Sequence, residues 1–305
     1  LGYPPILTSF ILTNWCIKNK IPLILDVKDK WPEHFIYPIP KYGKTFMRVL
    51  LTPYFIIARY VFRKATKITS ITEEYLEWIK NFSKNKYEIK SRYFLSPLIR
   101  KQFDLSIEEL NQSLNFWSLN KINLKEEKYF CFIGSYTKSF DFNFIYKMAT
   151  ILGDEFPDIL FILCGSGDQY KNIIKKFSKL SNVKVFGEID KFQAKVLISN
   201  CIATLAPYVN NKNFRNHIPN KIIESLENNK PFITTLDGKL RSIIKNHNNG
   251  IFIRTKDPID MCKFENILKN KDYLRELEIN AEKSYKILFD YKKTFDNIEK
   301  NLINI

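Results

Sequence analysis

The chain has 305 residues, with 48 Lys and Arg against 32 Asp and Glu, for a formal net charge of +16. Its 45% hydrophobic and 15% aromatic content supplies real cores and excludes a disordered basic tail, and its length suits two domains rather than one. Five scattered cysteines, Cys16, Cys131, Cys164, Cys201 and Cys262, make no CxxC, so reduced thiols are expected rather than a disulfide scaffold or structural zinc.

The chain opens on Leu1-Gly-Tyr-Pro-Pro, and Ile6 to Ile17 has the pattern of an apolar helix. No basic segment or small-residue cleavage site precedes it, so it does not read as a signal peptide. Pro22 to Val27 is a short apolar run ending in polar residues, the pattern of a buried parallel strand whose C-terminal end faces a site. Asp29-Lys30-Trp31-Pro32-Glu33 forms the loop after it. Residues 41–67 hold Lys41, Lys44, Arg48, Arg59, Arg63, Lys64 and Lys67 with no acid, interleaved with aromatic and aliphatic residues. The longest uncharged run there, Val49 to Ala58, is too short for a transmembrane helix and contains Pro53. Residues 1–72 carry eleven bases and three acids, half of the net charge in under a quarter of the chain. Lys67 to Ile71 reads as a strand, Thr72-Glu73-Glu74-Tyr75 as a helix start with acids in its first turn, and Ser91 to Leu95 as a further strand.

Polar residues become frequent from 104 to 127, and a domain boundary is expected there. The expected division is 1–122, 123–287, and a C-terminal helix over 288–305 returning toward the first domain. The second half alternates clearly. Tyr129 to Ile133 ends at Gly134-Ser135 and is followed by a helix from Phe142. Ile159 to Cys164 ends at Gly165-Ser166-Gly167-Asp168 before a helix through Lys171 to Leu180. Val183 to Phe186 ends at Gly187-Glu188-Ile189, with a helix around Phe192 to Ser199. Ile202 to Ala206 ends at Pro207, Pro219 to Asn228 reads as a helix and Pro231 to Thr235 as a strand. Such alternation implies α/β architecture, a doubly wound parallel sheet with ligands at the strand C-termini.

The most informative segment is Ile218-Pro219-Asn220-Lys221-Ile222-Ile223-Glu224. Pro at a helix start leaves backbone N–H groups free just downstream, and the helix dipole adds positive potential. This suits a diphosphate, with Lys221 as a neighbouring point charge and Glu224, one turn on, accepting from a ribose diol. An ordinary capped helix with a solvated Glu224 stands equally open on these residues alone.

The order Gly134, Gly165-Ser166-Gly167, Gly187-Glu188, then Pro219-x-Lys221-x-x-Glu224 with Lys230-Pro231 resembles the nucleotide-sugar domain of retaining GT-B glycosyltransferases of family four, glycosyltransferase group 1. Leu25-Asp26-Val27-Lys28-Asp29-Lys30-Trp31-Pro32-Glu33 is similar to the Asp-x-Arg-Asp-x-Trp-Pro signature of the branch that builds cell-surface polysaccharides. The resemblance implies two Rossmann-like domains facing a cleft. It also implies an opening strand and Gly-rich loop that do not precede Tyr3, so the first domain is expected to be partial. It implies a metal-independent hexosyltransferase moving a sugar, with retention, from a nucleotide diphosphate sugar to a glycan or polyprenyl-linked acceptor. A uridine diphosphate sugar is expected ahead of a guanosine one.

By the same resemblance Glu224 holds the ribose, Gly134 and Ser135 admit the phosphates, Lys138 offers charge, Gly165 makes room and Ile189 sits near the base. Pro219, Asn220 and Lys221 complete the donor site. Where the family often has a second Glu, eight positions before the ribose one, this chain has Asn216. Lys28 and Asp29 stand where related enzymes carry a catalytic-site His, and Asp29 is expected near the acceptor hydroxyl, with a loop-capping role as its other reading. Asp29 and Lys221 are the expected catalytic pair.

Residues 41–67 have two readings: a basic, aromatic face lying on an anionic membrane, or a buried helix pair with a solvated basic edge. The first implies a cytoplasmic protein peripheral to the inner face of the cell membrane. Nucleic acid is not expected, since no recognition motif accompanies the charge. His34, His217 and His247 are too scattered for a metal cluster, and no Asp-x-Asp triplet, Gly-x-Ser-x-Gly elbow or Walker lysine occurs. A non-catalytic sugar-nucleotide binder or partner subunit, and a sugar-nucleotide epimerase, remain as alternatives.

Overall fold

Short apolar runs alternate with amphipathic helices along most of the chain, and a parallel sheet with helical crossovers buries both faces of such strands. The computed structural model describes residues 1–83, 90–99, 102–210, 214–254 and 261–303. It has two α/β units, Leu1–Ile99 with Tyr291–Ile305, and Arg100–Asp290.

In the first unit β1 (Gly2–Tyr3), β2 (Ile24–Val27), β3 (Lys67–Ser70) and β4 (Tyr93–Leu95) pair in that order, all parallel. No apolar run announces β1; its pairing with Asp26 and Val27 alone defines it. α1 (Ile6–Lys18) leads to β2, α2 (Lys44–Leu50) and α3 (Thr52–Lys64) lead to β3, and α4 (Glu73–Ser83) leads to β4. Leu25, Val27 and Ile68 of the sheet are fully buried with Val61 and Phe62 of α3 and Ile79 of α4. Buried Ala58, Val61 and Phe62 follow the i, i+3, i+4 spacing of one helix face.

The 41–67 stretch is not one uniform basic edge. α2 and α3 meet at a 64° bend, and the pair has the length and composition of a broken span, while no single helix among the described residues is long and apolar enough to cross a membrane. Arg59 and Arg63 each donate through Nε to the carbonyls of Phe82 and Ser83 at the end of α4, at 3.3 and 2.8 Å. Lys67 Nζ donates to the Asn301 carbonyl at 2.6 Å. Helix-end carbonyls therefore occupy three bases that have no acid partner in sequence. Lys41 and Arg48 remain exposed and Lys44 half-buried, on the segment that carries Phe46, Val49 and Leu50, which are 72%, 68% and 59% exposed, and Lys64 is exposed at the end of α3.

α5 (Ile107–Leu119), expected in the first domain, belongs to the second unit, so the division falls near residue 100 rather than 122. The polar segment contains a true helix start: Ser106 Oγ accepts from the Glu109 N–H at 3.2 Å while the Glu109 carboxylate accepts from the Ser106 N–H at 2.8 Å. Trp117, fully buried, then anchors the helix against Val196 and Leu197.

The second unit continues β5 (Lys128–Ile133), α6 (Phe142–Glu155), β6 (Ile159–Cys164), α7 (Tyr170–Phe177), β7 (Val183–Phe186), α8 (Lys191–Asn200), β8 (Ala203–Ala206) and α9 (Asn220–Glu227). β9 (Phe232–Thr234), α10 (Lys239–His247), β10 (Gly250–Phe252), α11 (Met261–Lys269) and α12 (Lys271–Leu288) complete it, and α13 (Tyr291–Ile303) groups with the first unit. The six parallel strands run β10-β9-β8-β5-β6-β7. The chain thus winds outward from β5 to β7, then crosses back to β8 on the other side of β5. That reversal opens a crevice at the C-terminal ends of β5 and β8, where doubly wound sheets take their ligands.

Candidate active site

The loops leaving β5 and β8 are joined across the reversal. The Asp141 N–H donates to the Pro207 carbonyl at 2.6 Å, the Val209 N–H to the Ser139 carbonyl at 2.9 Å, and the rings of Phe140 and Tyr208 stand 4.6 Å apart. Into this junction α9 sends Lys221 from its first turn. Its Nζ lies 4.0 Å from the Phe132 ring centre, 3.8 Å from that of Phe140 and 5.4 Å from that of Tyr208. Among the described residues the buried nitrogen has no hydrogen-bond partner. Burial lowers its pKa to about 7, with the Glu224 carboxylate opposing that shift. Burial therefore favours the neutral amine, which ring faces surround in place of water.

Two glycines make the geometry possible. A Cβ on Gly134 would lie 2.8 Å from Lys221 Nζ, and one on Gly165, at φ +150°, would lie 1.8 Å from the Gly134 carbonyl oxygen. The strand ends are stitched backbone to backbone: Gly134 N–H to the Cys164 carbonyl at 3.0 Å, Tyr136 N–H to Ser166 at 2.7 Å, and Gly165 N–H to Gly187 at 2.9 Å. Gly134, Ser135, Gly165, Ser166, Glu188 and Ile189 line a pocket of about 240 Å³. Within it Ser166 Oγ donates to the Glu188 carboxylate.

A second pocket of about 260 Å³ shares Ile133 and Ile189 with the first and adds Phe103, Lys191, Lys195 and Glu224. The two form one groove along the strand ends. Pro219, expected inside the first turn of α9, is instead its N-cap at φ −69° and ψ 150°, and its carbonyl accepts from the Ile222 N–H at 2.9 Å. Its extended ψ keeps it one residue outside the helix, and no side chain caps the end, which leaves the helix dipole available to an anion.

The structure brings Gly134, Ser135, Gly165 and Ile189 into one pocket and Ile189 with Glu224 into the next. Pro219, exposed Asn220 and Lys221 begin the neighbouring helix. Lys221 was expected beside a diphosphate; its amine sits in the ring cage against Gly134. Lys138 is exposed on the loop after β5 and lines neither pocket. His217 donates its backbone N–H to the Phe214 carbonyl at 3.0 Å, in the turn that also carries Asn216. Asp29 belongs to the first unit, half-buried after β2, where its charge helps to hold the Tyr75 phenol protonated beside the larger effect of burial. In the same loop Lys30 Nζ lies 4.8 Å from the Tyr75 ring centre, and Glu33 accepts from Trp78 Nε1 at 2.6 Å. Phe132, Phe140 and Tyr208 carry no sequence signal as a lysine cage, because strands and loops far apart in the chain assemble them.

Residues 117–284 match the family model described as glycosyl transferases group 1. The chain belongs to that family. Its members' GT-B fold is also what similar solved structures share with it. Anabaena HepE in complex with UDP-glucose aligns over 100% of this chain and 78% of its own, at 13% identity and a TM-score of 0.69. Sucrose-phosphate synthase from Thermosynechococcus elongatus aligns over 99% and 73%, at 12% identity and a TM-score of 0.68. A glycosyltransferase from Rickettsia africae aligns over 97% and 80%, at 12% identity and a TM-score of 0.64. No curated protein sequence matches the chain. As a member of this family the protein is a glycosyltransferase.

Proposed function

We propose that the chain transfers a sugar from a nucleotide diphosphate sugar, most readily a uridine diphosphate sugar, to a lipid-linked glycan acceptor with retention of configuration. The observation that carries this reading is the groove at the strand-order reversal. There two closely approaching glycine loops, an uncapped helix N-terminus, Glu224 and a buried lysine meet. The bound UDP-glucose of the Anabaena relative supports the donor class.

In this reading the base lies near Ile189, Glu224 accepts from the ribose hydroxyls, and the diphosphate rests at Gly134 and Ser135, in reach of Asn220 and the start of α9. The bond between the anomeric carbon and the diphosphate oxygen breaks, and its electron pair stays on the leaving phosphate. An arriving anion raises the Lys221 pKa, so the amine takes up a proton and stands charged where negative charge develops. The acceptor hydroxyl, oriented by Asp29, bonds to the same face of the anomeric carbon and passes its proton to the leaving phosphate. Lys138 contributes long-range attraction, and the reading asks for no metal ion. The reading also puts the enzyme on the anionic inner face of a cell membrane, in polysaccharide synthesis for the cell envelope, and the exposed apolar residues of α2 with Lys41, Lys44 and Arg48 support it.

A thermal-shift screen of uridine and guanosine diphosphate sugars, with Glu224→Ala as control, tests the donor site. No stabilisation of the wild type, or an equal response of the variant, refutes it. A second reading, a non-catalytic nucleotide-sugar binder, is favoured by Asn216 where the family often has Glu. Binding without turnover on a polyprenyl diphosphate sugar selects that one.

A further inference from the structure

The first unit contains an apolar pocket of about 610 Å³ that the donor groove does not use. This lies within the roughly 300–1,000 Å³ range of small-molecule sites. Three elements build it: Ile6 and Leu7 from the start of α1, Trp31 and Phe35 from the segment after β2, and Met47 and Leu51 at the α2–α3 bend. Leu7 and Phe35 remain 52% and 43% exposed, so this surface is in contact with water. Its wall is fixed: the Tyr3 hydroxyl donates to the Trp31 carbonyl at 2.8 Å, and the Trp31 and Phe35 rings meet edge to face at 4.6 Å.

On α2 and the turn before it the charge beside the pocket is basic alone, and the acid of the wall segment, Glu33, already accepts from Trp78 Nε1 at 2.6 Å. Lys44 lies one turn before Met47 on α2, Arg48 follows Met47, and Lys41 begins the preceding turn. Among the described residues none of the three makes an ion pair. Trp31 also shares its loop with Asp29, the residue assigned to the acceptor hydroxyl. A ligand that is hydrocarbon at one end and anionic at the other fits both features, its chain in the pocket and its head among the bases.

We propose that this pocket seats the hydrocarbon chain of the lipid-linked acceptor, with Lys41, Lys44 and Arg48 facing its phosphate. The inference rests on the reading of the protein as a transferase to such an acceptor, and it adds where the lipid is held. The pocket, rather than the bilayer at large, selects the acceptor.

Farnesyl phosphate, titrated below its micelle concentration against the full chain and followed by tryptophan fluorescence, is the probe, with farnesol and inorganic phosphate as the two halves. Farnesyl phosphate is expected to bind more tightly than either. Leu7→Gln and Met47→Gln, on two separate elements, each weaken it by about tenfold. Lys44→Gln with Arg48→Gln weakens farnesyl phosphate several-fold and leaves farnesol unchanged. UDP stabilisation, measured on the same samples, reports the donor groove separately and stays intact in all three variants. Absence of farnesyl phosphate binding, or equal binding by the apolar variants, overturns the pocket even where UDP still binds. A sedimenting dimer that Leu7→Gln dissociates also overturns it, by assigning the surface to a second copy. Loss of the UDP response alone, with farnesyl phosphate bound, instead refutes the donor assignment.

Discussion

Replacing Lys221 with methionine keeps the length of the side chain and removes the buried amine. In the unliganded protein that amine has a pKa of about 7 against an ordinary 10.5. Between these values the unfolded chain binds more protons than the folded one, so stability rises with pH across the window and the penalty is complete below pH 7. The full difference corresponds to about 5 kcal/mol. The Lys221→Met protein is therefore expected to be more stable than the wild type by up to about 5 kcal/mol at pH 6, with the gap closing toward pH 10. Urea unfolding of both proteins without ligand, at pH 6, 8 and 9.5, measures this. A variant less stable than the wild type at pH 6, or a gap independent of pH, refutes the reasoning. The same variant is expected to lose its thermal response to UDP, since the charge that meets the diphosphate is gone.

UDP affinity is expected to fall as pH rises above 7, approaching about tenfold per pH unit while the free amine is neutral and the bound one charged. Calorimetry at pH 8 in buffers of different ionisation enthalpy should show proton uptake on binding, and none would contradict the assignment. Gly165→Ala drives a Cβ to 1.8 Å from the Gly134 carbonyl and is expected to destabilise by at least about 2 kcal/mol, so a wild-type melting curve would show the loops to be looser than described. Glu224→Gln is expected to weaken UDP, by about tenfold, more than UMP is weakened by Lys221→Met; calorimetric titration decides, and unchanged UDP affinity removes Glu224 from the ribose site. Lys41→Gln, Lys44→Gln and Arg48→Gln together are expected to release the protein from phosphatidylglycerol vesicles at about 1 kcal/mol per charge, whereas Arg59→Gln, held by the Phe82 carbonyl, changes flotation little.

Strand and helix alternation was legible from β5 to β9 because each strand is a short, predominantly apolar run, as burial in a parallel sheet requires. The Pro219-x-Lys221-x-x-Glu224 spacing likewise located α9, since helix geometry sets which residues share a turn. Less local features escaped. α5 looked like a polar boundary because its burial rests on Trp117 and on partners in α8. The acid-poor stretch 41–67 looked uniformly basic because carbonyls at the end of α4, invisible in composition, engage Arg59 and Arg63.

The family, the two-domain α/β plan and the pocket positions Gly134, Gly165, Ile189 and Glu224 were thus written in local order and spacing, which depend only on near neighbours in the chain. The state of Lys221 was not. Whether that amine is a solvated charge or a caged, readily neutralised one depends on Phe132, Phe140 and Tyr208 arriving from two strands and their loops. Desolvation is a property of the space around a group, and only the tertiary structure decides who fills it.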